Sequence, residues 1–311
     1  MALVQPVPAT PSGGATLRPL GIGDVIDRVF GIYRARAIGL FVIGLILFVA
    51  VVIAWIVLTV VFAVTAGSAF ARLSVPSTAN PASVLANPAF VEAVAGLVVY
   101  FIVGWLITLL IGAIFTGAVI DAAASAHLGQ NRSISQSLAV GFQSSLRIFL
   151  AGLIASVAVS LIGVVYNIIG GFFDNNLLLF LLSLVYFFVL FYVQASWFVA
   201  PVVATIERHG PISSLRRSWQ LSAGFRWRIV GLFILLVVLF LVLLFLIVFA
   251  VGLIAAANQT AGAIAVFIAV FAAVPLWMPL FFGTMTVLYY DLRVRKEGLD
   301  LQLAAEAMPR A

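Results

Sequence analysis

The sequence predicts an all-α polytopic membrane protein with six transmembrane helices arranged as three hairpins. Three observations carry this. The chain is 65% hydrophobic and 8% charged, against roughly 25% charged residues in ordinary soluble domains. The 62 residues between Arg228 and Asp291 contain no Asp, Glu, Lys or Arg, and four shorter charge-free stretches precede them. A hydrocarbon core about 30 Å thick is crossed by about 20 apolar residues as helix, so each stretch is long enough to span.

Taken in chain order, residues 1–16 are rich in Pro and Ala and lack the basic and apolar regions of a signal peptide, so they read as a disordered tail. Cutting the remainder at charges and turn residues gives spans at 38–66, 94–120, 148–170, 177–205, 229–256 and 261–290. The last two are separated by Asn258-Gln259-Thr260, because one helix of that length would overshoot a bilayer about threefold. The transmembrane domain is expected over 17–303, followed by a short tail over 304–311. The one long connection on the far side, 67–93, holds Pro76, Asn80-Pro81 and Asn87-Pro88, which favour turns over a folded domain.

Orientation follows from arginine placement. Fifteen of the 16 basic residues fall before the first span, between the second and third, between the fourth and fifth, or after the sixth. Arg72 alone lies on the other side, and the acids split 8 to 2 in the same sense. The positive-inside rule then predicts that both termini are cytoplasmic. The isoelectric point near 10.2 describes one membrane face, for which anionic phospholipid is a better partner than nucleic acid. With no cysteine, disulfides and thiolate metal sites are excluded. Basic residues that are almost all Arg, with abundant Ala and Val, suggest a GC-rich bacterial genome and hence a bacterial plasma membrane.

A unit recurs ahead of the first, third and fifth spans, giving a possible threefold repeat over 21–121, 130–207 and 210–291. Ile22, Val25, Ile26, Val29, Phe30 and Tyr33 fall at helical spacing opposite Asp24, Asp27, Arg28 and Arg34, which predicts an interfacial amphipathic helix. Ser133-Ile-Ser-Gln136 resembles a capping box ahead of a thinner stripe, Ile134, Leu138 and Phe142. Pro211 suits a first helical turn before Ile212, Leu215 and Trp219 on one face. Each unit then meets a glycine, a bulky residue and an arginine: Gly31 to Arg34, Gly141-Phe142 with Arg147, and Gly224 to Arg228. The glycines are expected to turn the chain from the membrane plane into the span. The second, fourth and sixth spans end at Asp121, Glu207 and Asp291.

Arg18-Pro-Leu-Gly-Ile-Gly-Asp24-Val-Ile-Asp-Arg28 with Tyr33-Arg34, Pro201-Val-Val-Ala-Thr-Ile-Glu207 with Leu215-Arg-Arg-Ser-Trp219, and Tyr289-Tyr-Asp-Leu-Arg293 running on to Gly298-Leu-Asp300 carry a resemblance. Over 17–303 the chain resembles a bacterial family named for the membrane domain of glycerophosphoryl diester phosphodiesterases. The name derives from relatives that fuse such a domain to a catalytic one. No catalytic domain of that kind is legible here, so the resemblance implies the membrane fold and not the activity.

Catalytic, cofactor and metal sites are not expected. The two histidines, His127 and His209, lie in connections rather than in a carboxylate cluster. His209 beside Glu207 and Arg208, and Asp121 with His127, are the nearest approaches to a phosphate or metal site. The candidate lipid- or partner-facing residues are Arg28, Arg34, Arg208, Arg216, Arg217, Trp219, Arg226, Trp227 and Arg228, since arginine forms bidentate phosphate contacts and tryptophan favours the headgroup boundary. Asp121, Glu207 and Asp291 are expected to form structural ion pairs, with Arg216 and Arg217 reaching back to Glu207. Polar residues inside the spans, among them Thr108, Asn167, Ser183, Gln194 and Ser196, are expected to join helices.

Two functions are open at this point. One is a non-enzymatic membrane protein whose basic face binds anionic lipid or scaffolds a membrane or cytoplasmic protein. The other is a transporter or lipid-moving protein, with Gln194, Asn167 and a sixth span kinked at Pro275 and Pro279 lining a mid-membrane cavity. Oligomeric state is not legible.

Overall fold

The computed structural model describes residues 19–65, 67, 72 and 87–306. It is 90% helical, with no strand among the described residues. The helices are α1 (Ile22–Thr65), α2 (Pro88–His127), α3 (Ile134–Gly170), α4 (Asn176–Trp197), α5 (Ala200–Ile206), α6 (Pro211–Ser222), α7 (Arg226–Ala257), α8 (Gln259–Glu297) and α9 (Leu299–Glu306). Six helical stretches are long and apolar enough to cross a membrane: α1, α2, α3, α4 with α5, α7 and α8. At most about a fifth of each one's most apolar window is buried by protein. An outer surface so apolar is stable only in lipid, so the protein is an all-α, multi-pass membrane protein. The predicted tail 1–16 and most of the loop 67–93 lie outside the described residues, as do 307–311. Residues 304–306, expected in a tail, belong to α9.

The described residues up to Gly44 and from Ala113 onward form one compact unit, and Leu45–Gly112 form a second. In the second, the Trp55 indole donates to Thr108 Oγ1 at 3.0 Å, and Thr59 pairs with Tyr100 at 3.0 Å. Gly104 permits this packing, because a Cβ there would lie 2.5 Å from the Trp55 ring.

The core of the first unit sits at its charged end. Val25, Val29, Ile32, Ile120, Val199, Val202, Leu221, Ile229, Leu232, Leu288, Tyr289 and Leu292 are all buried there and pack together. Further along, α3 and α4 are joined by stacking of Tyr166 on Tyr186 and by a 2.9 Å hydrogen bond from Tyr166 to Ser183. The α7–α8 turn is a single extended residue, Asn258, whose side chain accepts from the Ala261 N–H at 3.0 Å. Gly262 makes so tight a turn possible, since a Cβ there would come within 2.4 Å of Ala255.

At four points the structure adds to or corrects the expectations. First, α2 and α8 run on past Asp121 and Asp291, the expected ends of the spans, to His127 and Glu297. Asp291 pairs with Arg295 one turn on, which is compatible with continued helix. Second, the break in α1 falls at Arg36 (φ −130°, ψ 26°), not at Gly31. Third, α3 is one helix, so the second repeat has no separate in-plane helix. Its capping box is present, but Gly141 is a packing residue: a Cβ would lie 2.4 Å from the Ile114 carbonyl of α2. Only Gly224 (φ +87°) turns the chain as foreseen, between α6 and α7. Fourth, protein covers only part of the expected stripes: Val25, Val29 and Leu215 are buried and Phe30, Ile212 and Trp219 are exposed, while Ile32, Ser214, Ser218, Leu221 and Ser222 are buried as well.

Candidate functional site

At the charged end, Asp291 is the most enclosed charge, its carboxylate wholly inaccessible to solvent. It accepts from Arg228 Nη1 at 2.5 Å, from Arg295 Nε at 3.1 Å and from the Leu20 N–H at 2.7 Å. The Leu20 carbonyl in turn accepts from Arg228 and from Arg295. The peptide ahead of α1 is thus held by two arginines and an aspartate from α7 and α8. A buried carboxylate is tolerated because each of its lone pairs is used.

A second network closes on itself. Arg217 Nε meets Glu207 Oε2 at 3.1 Å and its Nη2 meets Glu297 Oε1 at 2.6 Å. Glu297 Oε2 meets Arg293 Nε at 2.9 Å, Arg293 Nη1 donates to the Tyr289 hydroxyl at 3.3 Å, and that hydroxyl donates to Glu207 Oε1 at 2.7 Å. Two acids and two arginines cancel within the ring. Burial alone would lower the Arg217 guanidinium, but Glu207 and Glu297 outweigh it and hold it above the ordinary arginine range. His209 Nδ1 flanks the ring, 3.4 Å from Glu207.

The third group surrounds Asp121, which takes Arg132 Nη1 at 3.1 Å and Ser137 Oγ at 3.0 Å. His127 does not join it as a metal ligand. Its ring stacks on Tyr290 with centroids 5.2 Å apart, and Arg28 Nε donates to its Nδ1 at 3.3 Å. An N–H aimed at Nδ1 requires a lone pair there, so this imidazole is neutral.

The break between α4 and α5 completes the end. Pro201 has no N–H and its ring crowds the preceding turn, so the helix is interrupted at Phe198-Val199. Next to this interruption the Ser196 carbonyl accepts from the buried hydroxyls of Ser218 at 2.8 Å and Ser222 at 3.2 Å. Arg226 seals the same place: Nε donates to Ser196 Oγ at 2.7 Å and Nη1 to Tyr192 at 2.8 Å, and its guanidinium stacks over Tyr192 and Trp219.

The nine residues expected to face lipid or a partner therefore divide. Arg28, Arg217 and Arg228 spend their donors inside the protein, and Arg226 does so largely. Arg34, Arg208 and Arg216 are exposed and meet no carboxylate among the described residues. Trp227 is exposed and Trp219 partly so. Asp121, Glu207 and Asp291 all form ion pairs, but Arg217 alone, not Arg216, reaches Glu207. Sequence reasoning missed Leu20, Tyr289 and the serine face of α6, although Ser214, Ser218 and Ser222 recur at the four-residue spacing of one helical face. Of the residues considered for a conduit, Asn167 donates to Gly163 of its own helix, and Pro275 packs against Gly44.

Fold and site together define a six-span, all-α membrane protein with an ion-paired basic end. Comparison with models of known families, with curated proteins and with solved structures gives no match.

Proposed function

We propose that this is a non-enzymatic integral membrane protein whose basic end binds anionic phospholipid, in a bacterial plasma membrane with that end and both termini in the cytoplasm. Membership of the family named for the glycerophosphodiesterase membrane domain is part of the same proposal and rests on the motifs around Asp24, Glu207 and Asp291.

One observation carries the lipid reading. Asp121, Glu207, Asp291 and Glu297 are each satisfied by arginine, so positive charge is left uncompensated, part of it on the exposed side chains Arg34, Arg208 and Arg216. Ile212 at the start of α6 and Trp227 at the start of α7 are exposed apolar groups suited to the headgroup boundary. Anionic lipid answers both features at once.

Two measurements test it. Reporter fusions at residues 130 and 212 should report inside, and those at 175 and 259 outside; the reverse pattern would reject the orientation. In native mass spectrometry, the purified protein should retain phosphatidylglycerol over phosphatidylcholine, with a preference that declines as salt is raised. Equal retention of the two lipids would reject the reading.

A further inference from the structure

Where α1 breaks at Arg36, a cleft of about 390 Å³ opens between the start of the first span and the α2–α3 connection. Ligand pockets run from about 300 to 1,000 Å³, which makes this one large enough for a headgroup and too small for a whole lipid. Its rim carries three guanidinium groups, Arg34, Arg36 and Arg132, and its wall is apolar, formed by Ala37, Ile38, Leu40 and Ile43.

Two of the arginines are held in place by protein. Arg36 Nη2 donates to the Gln130 carbonyl at 2.5 Å and to Asn131 Oδ1 at 2.8 Å, while Nη1 reaches the Arg132 carbonyl at 3.3 Å. These contacts bring neutral acceptors to Arg36, so its charge is not cancelled. Arg132 is fixed by Asp121. Arg34 is exposed and meets no carboxylate among the described residues. Three positive charges thus face one negative charge, and a group bearing a single negative charge would find both hydrogen-bond donors and charge compensation. The apolar wall runs directly into the transmembrane part of α1, where Ile38 is 81% exposed.

Resting on the lipid reading above, we infer that this cleft is the seat of one anionic phospholipid. Its phosphodiester is held by Arg34, Arg36 and Arg132, and its acyl chains lie along Ile38. A bidentate guanidinium suits a phosphodiester oxygen pair, and the wall gives a reason for lipid over a free anion. The headgroup seated at the helix break would also make Arg36's non-helical backbone conformation part of a binding site.

The test uses the full chain in detergent and phosphatidylglycerol titrated in native mass spectrometry. Arg34→Gln should weaken binding roughly fivefold, the equivalent of about 1 kcal/mol for one near-surface charge. Ile38→Gln should weaken it as well. Because Arg34 has no ion-pair partner among the described residues, an unchanged thermal melt of Arg34→Gln is expected and certifies the fold. Arg147→Gln, a loss of one positive charge on α3 outside the cleft lining, should leave this binding step intact. If wild type prefers phosphatidylglycerol and Arg34→Gln binds it as well as wild type does, the cleft assignment fails and the general lipid reading stands. Loss of preference in wild type itself removes both. Displacement of the lipid by glycerol phosphate at equal concentration would show that the apolar wall contributes nothing, and would overturn the lipid as occupant.

Discussion

Replacing Asp291 with Asn tests how much the buried charge hub holds. Asn keeps the shape and one acceptor oxygen but leaves Arg228 and Arg295 facing each other without a carboxylate. Removing one partner of a buried pair costs about 3–5 kcal/mol. The two arginines are 18% and 27% exposed, so water recovers part of that, and both keep the Leu20 carbonyl as an acceptor. A net loss of about 2–3 kcal/mol is expected after crediting one neutral hydrogen bond to the new amide. The assay is reversible unfolding by sodium dodecyl sulfate in mixed micelles, followed by circular dichroism. Hydrogen exchange of the peptide containing Leu20 gives a local readout, because its N–H loses a charged acceptor and should exchange faster. Changing Asp291, Arg228 and Arg295 together to leucine should cost less than Asp291→Asn alone, since no unpaired charge remains. A loss below about 0.5 kcal/mol for Asp291→Asn, with unchanged exchange at Leu20, would refute the reasoning.

Two further outcomes are expected in the same unfolding assay. Gly141→Ala should destabilise by about 1–3 kcal/mol, because its methyl would meet the Ile114 carbonyl at 2.4 Å; Gly152→Ala on the same helix, with open space at its Cβ, should be neutral or stabilise by up to about 1 kcal/mol. Ser218→Ala and Ser222→Ala should each be mild, because the other hydroxyl still serves the Ser196 carbonyl, while the double variant should lose about 1–3 kcal/mol and show coupling in a double-mutant cycle.

The six spans were legible because charge is so costly in hydrocarbon that its absence marks them. Helix ends were less so. Asp121 and Asp291 read as the ends of spans but not as points inside helices that run on, which they are, because a carboxylate that is paired with arginine need not terminate a helix. Glycine carries two meanings that the sequence does not separate. At Gly224 it supplies a left-handed turn, and at Gly141 it admits a neighbouring helix. The amphipathic stripe of α6 was judged by hydrophobicity, which favoured Ile212 and Trp219. The face turned inward carries Leu215 and Leu221 but is otherwise serine-rich, and its Ser218 and Ser222 serve the Ser196 carbonyl beside the α4–α5 break. Which arginine meets Glu207 depends on helical phase and on Glu297 approaching from α8, a contact between residues too distant in the chain for spacing to suggest.

The clamp on Leu20 also has a bearing on biosynthesis. Its two arginines and its aspartate lie 208 to 275 residues downstream, so the Leu20 segment stays unlocked until α8 has been made. Hairpins can enter the bilayer one after another, but the Leu20 peptide is secured only after the span that carries Asp291 and Arg295. Closure of this clamp therefore waits on synthesis of α8, and a product terminated before Asp291 would present a loose Leu20 segment to cellular quality control.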